Sequence, residues 1–227
     1  MGEMMRIRLW AIGVFSAIII SSLRIDAAIV PEYSGGARLG INISSVYGDT
    51  VQTMMARVGL NIGLYFTAWL NDKIALQQEA VIGTRGERWK DPNNVDPFVY
   101  SRYATVSTYL DLPLLVKWRF YQSDALRPSV YFGPDCAIAL VAESEFGTTS
   151  QDMMDKTNKF DFGLTAGFSM DIRQGDYFIP VDIRYNLGLL NYVKPDEFNT
   201  TAKHSVISVS VGLGHLLEFG KKKEKEF

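Results

Sequence analysis

The chain has 227 residues, a formal net charge of −2, 47% hydrophobic residues and a mean hydropathy of +0.02. That charge argues against a nucleic-acid partner, and that hydropathy is too low for a bundle of membrane helices. The single cysteine, Cys136, excludes an internal disulfide and a cysteine-rich metal site, and within a strand it reads as a small apolar residue.

The amino-terminal stretch reads as an export signal. Arg6 and Arg8 form a positive start, residues 9–23 are uncharged and mostly apolar, and Arg24 ends the run. The run is shorter than the ~20 apolar residues that a helix needs to cross a membrane. A cleavable signal peptide is expected over residues 1–28, with the cut near Ala27 or Ala28. Ile25 or Asp26 would then stand three places before the cut, a poor match to the usual small residue, and an uncleaved anchor is the alternative. No cysteine lies there to carry a lipid.

After this stretch, alternating runs recur between turn signals, each with one apolar and one polar face. Residues 37–45 set Leu39, Ile41 and Ile43 against Arg38, Gly40, Asn42 and Ser44. Residues 57–69 set Val58, Leu60, Ile62, Leu64 and Phe66 against Gly59, Asn61, Gly63 and Thr67. Residues 74–85 are weaker, with Leu76 and Ile82 opposite Gln77, Glu79 and Arg85. Residues 109–120 place Leu110, Leu112, Leu114, Val116, Trp118 and Phe120 opposite Asp111, Pro113, Lys117 and Arg119. Residues 129–141 place Val130, Phe132, Ile138 and Leu140 opposite Tyr131, Gly133 and Asp135. Residues 160–173, FDFGLTAGFSMDIR, alternate without a break. Residues 177–189 set Ile179, Val181, Ile183, Tyr185 and Leu187 against Asp182, Arg184, Asn186 and Gly188. Residues 205–217 set Ile207, Val209, Val211 and Leu213 against Ser208, Ser210, Gly212 and Gly214.

These are eight strands, most of them long enough for the ~9–11 residues of a tilted membrane-crossing strand. Their connections alternate in length. Short links lie at 70–73, 121–128 and 174–176, and long ones at 46–56, 86–108, 142–159 and 190–204. Short periplasmic turns and long extracellular loops are the layout of an outer-membrane barrel.

The faces decide between a soluble barrel, apolar inside, and a membrane barrel, apolar outside. A hydrated outer face should be rich in lysine and glutamate, yet the polar face carries glycine, serine and one strand lysine, Lys117. Its charges nearly balance: Glu79, Asp111, Asp135, Asp161, Asp171 and Asp182 against Arg38, Arg57, Arg85, Lys117, Arg119, Arg173 and Arg184. On strands that enclose one space, these thirteen suit an internal ion-pair network with a structural role. Aromatics gather near the strand ends. Trp69, Trp118, Phe120, Tyr121, Tyr177 and Phe178 flank the short turns, and Tyr47, Trp89, Tyr100, Tyr103, Phe160, Phe162 and Tyr192 lie towards the loops. Two such girdles match two membrane–water interfaces. The expectation is an all-β, eight-stranded antiparallel up-and-down transmembrane barrel over residues 29–219, with a solvated charged tail over 220–227.

The run YLDLPLLVKWRF at 109–120 has the form Tyr-hydrophobic-acid-hydrophobic-Pro-Leu-Leu-x-Lys. On this run, supported by GLNIG at 59–63, LQQEAVIG at 76–83 and the strand–turn rhythm after Arg127, the chain resembles the PorT-like outer-membrane β-barrel family. The likeness covers roughly residues 36–217. It implies an outer-membrane location and, for the family's namesake, a role in protein secretion; it implies no catalytic residue. Barrels of this class commonly close the last strand on an aromatic residue, which the barrel-assembly machinery reads. Here Phe219 and Phe227 are both candidates for that signal.

Chemistry-bearing motifs are sparse. His204 and His215 have no zinc-type spacing, and no phosphate loop or G-x-S-x-G occurs. His204 with Ser205 and Asp196 or Glu197 is the one rim triad that can be drawn. The loop WKDPNNVDPF could hold calcium but reads more simply as solvated. The leading expectation is a monomeric, non-enzymatic barrel without cofactor, too narrow for a general porin. Its partners would be outer-membrane lipid and lipopolysaccharide, the assembly machinery and, through the resemblance, secretion-system proteins. The alternatives are a lipid-modifying enzyme with a rim site near His204 and a soluble lipocalin-like lipid carrier.

Overall fold

The computed structural model describes residues 32–48, 54–89, 103–146, 149–194 and 201–217. The expected signal peptide, the tail and both candidate assembly signals, Phe219 and Phe227, lie outside these residues. So do Asp91, Pro92, Asp96, Pro97 and Tyr100 of the longest loop, and Asp196 and Glu197 of the drawn triad.

The described residues form nine strands: β1 (Glu32–Gly48), β2 (Met54–Trp69), β3 (Ile74–Trp89), β4 (Tyr103–Arg119), β5 (Leu126–Phe146), β6 (Thr149–Asp152), β7 (Phe160–Gln174), β8 (Tyr177–Gly188) and β9 (Ala202–Leu217). Eight of them close a ring in the order β1-β2-β3-β4-β5-β7-β8-β9, every neighbour antiparallel. The first and last strands pair from Tyr33↔Leu217 to Gly48↔Ala202, so the ring has no free edge. Closure is what allows a sheet to stand in lipid, because every backbone amide and carbonyl finds a partner within the sheet. β6 stands outside the ring. It folds back on the end of β5 alone, from Glu143↔Asp152 to Phe146↔Thr149.

The strands run longer than the alternation predicts, and the long loops are correspondingly shorter. β3 continues through Glu87 and Arg88 to Trp89, and β5 through Glu143 and Glu145 to Phe146. Beyond the lipid both faces meet polar surroundings, so a strand can continue there without a period-2 pattern. A bulge at Leu140 also breaks the pattern. Thr108 pairs with Val141 and Tyr109 with Ala139, so Leu140 and Val141 both point outward and Ala142 is turned in.

The apolar face points outward around the ring. In β7, Phe160 is 56% exposed and its neighbour Asp161 only 5%. Leu39, Leu60, Leu64, Val116, Phe132, Ile183 and Leu213 are likewise exposed on their strands. That inverts a soluble barrel, and the lipocalin-like reading falls with it. A continuous apolar belt of this extent needs lipid around it.

Three aromatics of the expected girdles point inward instead. Trp69, Phe178 and Tyr192 are buried, whereas Trp118, Phe120, Tyr121 and Tyr177 are exposed beside the short turns. Trp69 shares strand parity with Thr67, and Phe178 with Asp182, so their direction follows from the alternation itself. The side chains of Trp89 and Tyr103 lie outside the description.

Candidate functional site

The inward face fills the barrel with polar side chains. All the expected lumen charges are buried except Arg57 and Arg173, which point inward and are half-buried. They group into three levels along the barrel.

In the middle, Glu79 of β3 is the hub. It accepts from Arg38 of β1, from Arg184 Nη1 of β8 at 2.8 Å and from Gln77 Nε2 at 2.5 Å. Arg184 Nε also donates to Asp182 at 2.9 Å, and Tyr131 of β5 donates its hydroxyl proton to the same carboxylate at 2.8 Å. Two arginines thus meet two carboxylates, and four strands are tied across the lumen. The close fit depends on glycine at one point. A side chain at Gly167 would collide with the Tyr131 phenol, which lies directly over it.

Nearer the extracellular loops acid predominates. Arg85 of β3 pairs with Asp111 and lies 3.6 Å from Asp161 of β7. Asp135 accepts from Asn186 and, at 3.3 Å, from Thr165. Asn61 donates to Asn42 Oδ1 at 2.6 Å, and Ser208 donates to the same oxygen at 2.7 Å.

Above this level an aromatic cap closes the lumen. Tyr192, from the β8–β9 connection, stacks on His204 with ring centroids 4.4 Å apart and donates to Glu87 at 2.9 Å. Burial, and then the adjacent Glu87 carboxylate, hold the Tyr192 phenol above its ordinary pKa, so it remains a proton donor. Tyr109 meets His204 edge-on and shares a 3.3 Å hydrogen bond with its Nε2. Met154, from the β6–β7 connection, packs over Tyr109, Ala137 and Ala139. The two connections are stitched together by Asn158 N donating to Tyr192 O at 2.7 Å and Lys194 N donating to Lys156 O at 2.9 Å.

At the opposite end, beside the short turns, base predominates. Lys117 pairs with Asp171 at 3.3 Å. Arg119 lies over the Trp69 ring, 3.5 Å from its centroid, and donates to Gln122 at 3.2 Å. Arg127 pairs with Glu32 at 3.6 Å, and Arg173 donates to Gly175 O at 3.2 Å. Gly175 turns this corner with φ +65°, which a side chain would strain.

The drawn rim triad does not form. His204 faces the lumen and is 1% exposed, whereas Ser205 faces outward and bonds the Tyr185 hydroxyl at 3.0 Å. Adjacent strand residues point to opposite faces, so this serine cannot be served by that histidine. Among the described residues no cluster of acidic, histidine or cysteine side chains is arranged to hold a metal ion. Gln77 and Tyr131 lie on the polar face as the alternation predicts, and extending the same parity would also have identified Glu87 and Tyr109 as lumen groups.

A family model described as "Outer membrane protein beta-barrel domain" matches residues 6–194. This chain belongs to that family. The protein is an integral outer-membrane barrel; in such barrels the short turns face the periplasm and the long loops the exterior. Among solved structures, Neisserial surface protein A is similar at 11% identity and a TM-score of 0.51, over 82% of this chain and 97% of that one. OprG from Pseudomonas aeruginosa is similar at 11% identity and a TM-score of 0.52, over 84% and 97%. At such identity the likeness is one of fold. A comparison with curated proteins finds no match.

Proposed function

We propose that the barrel is a non-enzymatic scaffold whose working surface is its extracellular loop assembly, in contact with lipopolysaccharide and a protein partner. The observation that carries this reading is the contrast between a packed lumen and a built loop end. Among the described residues the polar interior is spanned by the Glu79 hub and capped by Tyr192. The loop end, by contrast, extends β5 well beyond the lipid, adds the exposed β6 hairpin and locks two connections together. Building that much ordered chain above the membrane makes physical sense for a contact surface.

The resemblance of residues 109–120 to the PorT-like family supplies the finer version, in which the contact serves protein secretion. Biogenesis would pass through the barrel-assembly machinery. Replacing residues 149–158 by a short Gly-Ser linker tests the reading in a strain lacking the native protein. The altered barrel should still resist SDS until boiled, and export of secreted proteins should fall to the level of the deletion strain. Full complementation by the altered barrel would overturn the loop reading.

A further inference from the structure

The periplasmic mouth carries charge that the rest of the lumen does not leave open. Arg119, Arg127 and Arg173 line one recess there with Glu32, Asp171 and the ring of Trp69. The register makes them neighbours. Arg119 of β4 pairs with Ser129, two residues from Arg127 on the same face of β5, and Arg127 pairs with Asp171, two residues from Arg173 on β7. Lys117 already neutralises Asp171. Three guanidinium groups therefore remain against Glu32, paired with Arg127, and the nearby Asp124, which leaves positive charge in excess.

Hydrogen bonding is incomplete in the same place. Arg119 is 6% exposed, and its Nε has no hydrogen-bond partner among the described residues; the same is true of Arg127 Nε. A buried guanidinium with a free donor is costly unless an acceptor completes it. Trp69 packs against Arg119, whose Nη1 donates to Gln122 while its Nε stays unpartnered.

We infer that the periplasmic mouth is a binding site for a dianionic phosphate, held between Arg119, Arg127 and Arg173. Phosphate fits better than carboxylate on two counts. It carries between one and two negative charges at neutral pH, more than a carboxylate brings to the excess positive charge, and its several oxygens can accept from guanidinium groups on different strands at once. Glu32, exposed at the lip and holding Arg127 weakly, would give way as the anion enters. The phosphate could be free in the periplasm or carried as the monoester head of a lipid in the inner leaflet.

The experiment uses the full chain, folded in neutral maltoside micelles and checked by its boiling-dependent gel shift. Calorimetric titration with inorganic phosphate, against sodium chloride of equal ionic strength, should give saturable binding. Arg173→Gln should weaken it about tenfold, and Arg119→Gln with Arg173→Gln about a hundredfold, if each guanidinium contributes one charge-assisted pair. Arg173 is half-buried at the rim, so its variant folds even if the Arg119 variant does not. The source is separated by repeating the titration in phosphatidylcholine nanodiscs with and without phosphatidic acid. Loss of phosphate binding only in the phosphatidic acid discs assigns the site to a lipid head; undiminished binding assigns it to free phosphate. Heat no larger than with chloride, or equal affinity in the wild type and Arg173→Gln, would overturn the inference.

Discussion

At the centre of the barrel, Arg38 and Arg184 meet Glu79 and Asp182, and Tyr131 and Gln77 complete the carboxylates. At the periplasmic mouth, three arginines stand around Glu32, which pairs with Arg127, and two of them keep a free Nε. Both regions use arginine on inward strand faces and both keep an unpartnered Nε, Arg38 at the hub included; the difference lies in charge, balanced two against two at the hub and in basic excess at the mouth. A network whose charges cancel holds strands together and has no net charge to offer an ion. The same residue type in excess over carboxylate is a place where an anion can bind. The extracellular end is a third case, with Tyr192 and His204 closing the space by ring packing above an acid-rich level.

The sharpest way to break this comparison is at the hub. Glu79→Gln would leave Arg38 and Arg184 buried without their shared carboxylate, at a cost of about 3–5 kcal/mol. The urea midpoint of the refolded protein in micelles should fall accordingly, and an unchanged midpoint would mean that the hub is hydrated. Gly167→Val should cost about 1–3 kcal/mol by driving a side chain into the Tyr131 ring, seen as a lower temperature for the gel shift. Tyr192→Phe removes only the bond to Glu87 and should cost about 1 kcal/mol, with faster proteolysis of the 153–158 connection as the readout. At the mouth, Glu32→Gln should change stability by less than about 1 kcal/mol, because its pair is long and half-exposed. That small change should raise phosphate affinity, the opposite of the effect of Arg173→Gln.

The ring was legible in the sequence because lipid imposes a strict period of two. Leu60, Ile62 and Leu64 could not face a hydrated lumen, and Asn61 and Gly63 could not face lipid. The charged lumen was legible for the same reason. Its pairing was not, because Arg38 and Glu79 lie 41 residues apart and Arg184 and Glu79 lie 105 apart, and only the stagger of a closed ring brings them to one level. The inward turn of Trp69, Phe178 and Tyr192 shows where two rules compete. Closeness to a strand end suggests a membrane interface, but parity decides the direction for the first two, and Tyr192 lies beyond a strand, where parity gives no guidance. The β6 hairpin left no signal, since all four of its residues are exposed and polar or charged.

The central claim is that neighbouring residues of one strand face lipid and a packed polar interior, and the single cysteine allows a direct test. A spin label on Cys136, which is exposed on β5, is compared with one on Ala137→Cys in a Cys136→Ser background, both in lipid vesicles. The account predicts that Cys136 labels readily and that its signal relaxes with oxygen dissolved in lipid but not with a water-soluble nickel complex. Residue 137 should resist labelling until the barrel is unfolded. A freely labelled residue 137, or a Cys136 label that senses nickel rather than oxygen, would contradict it.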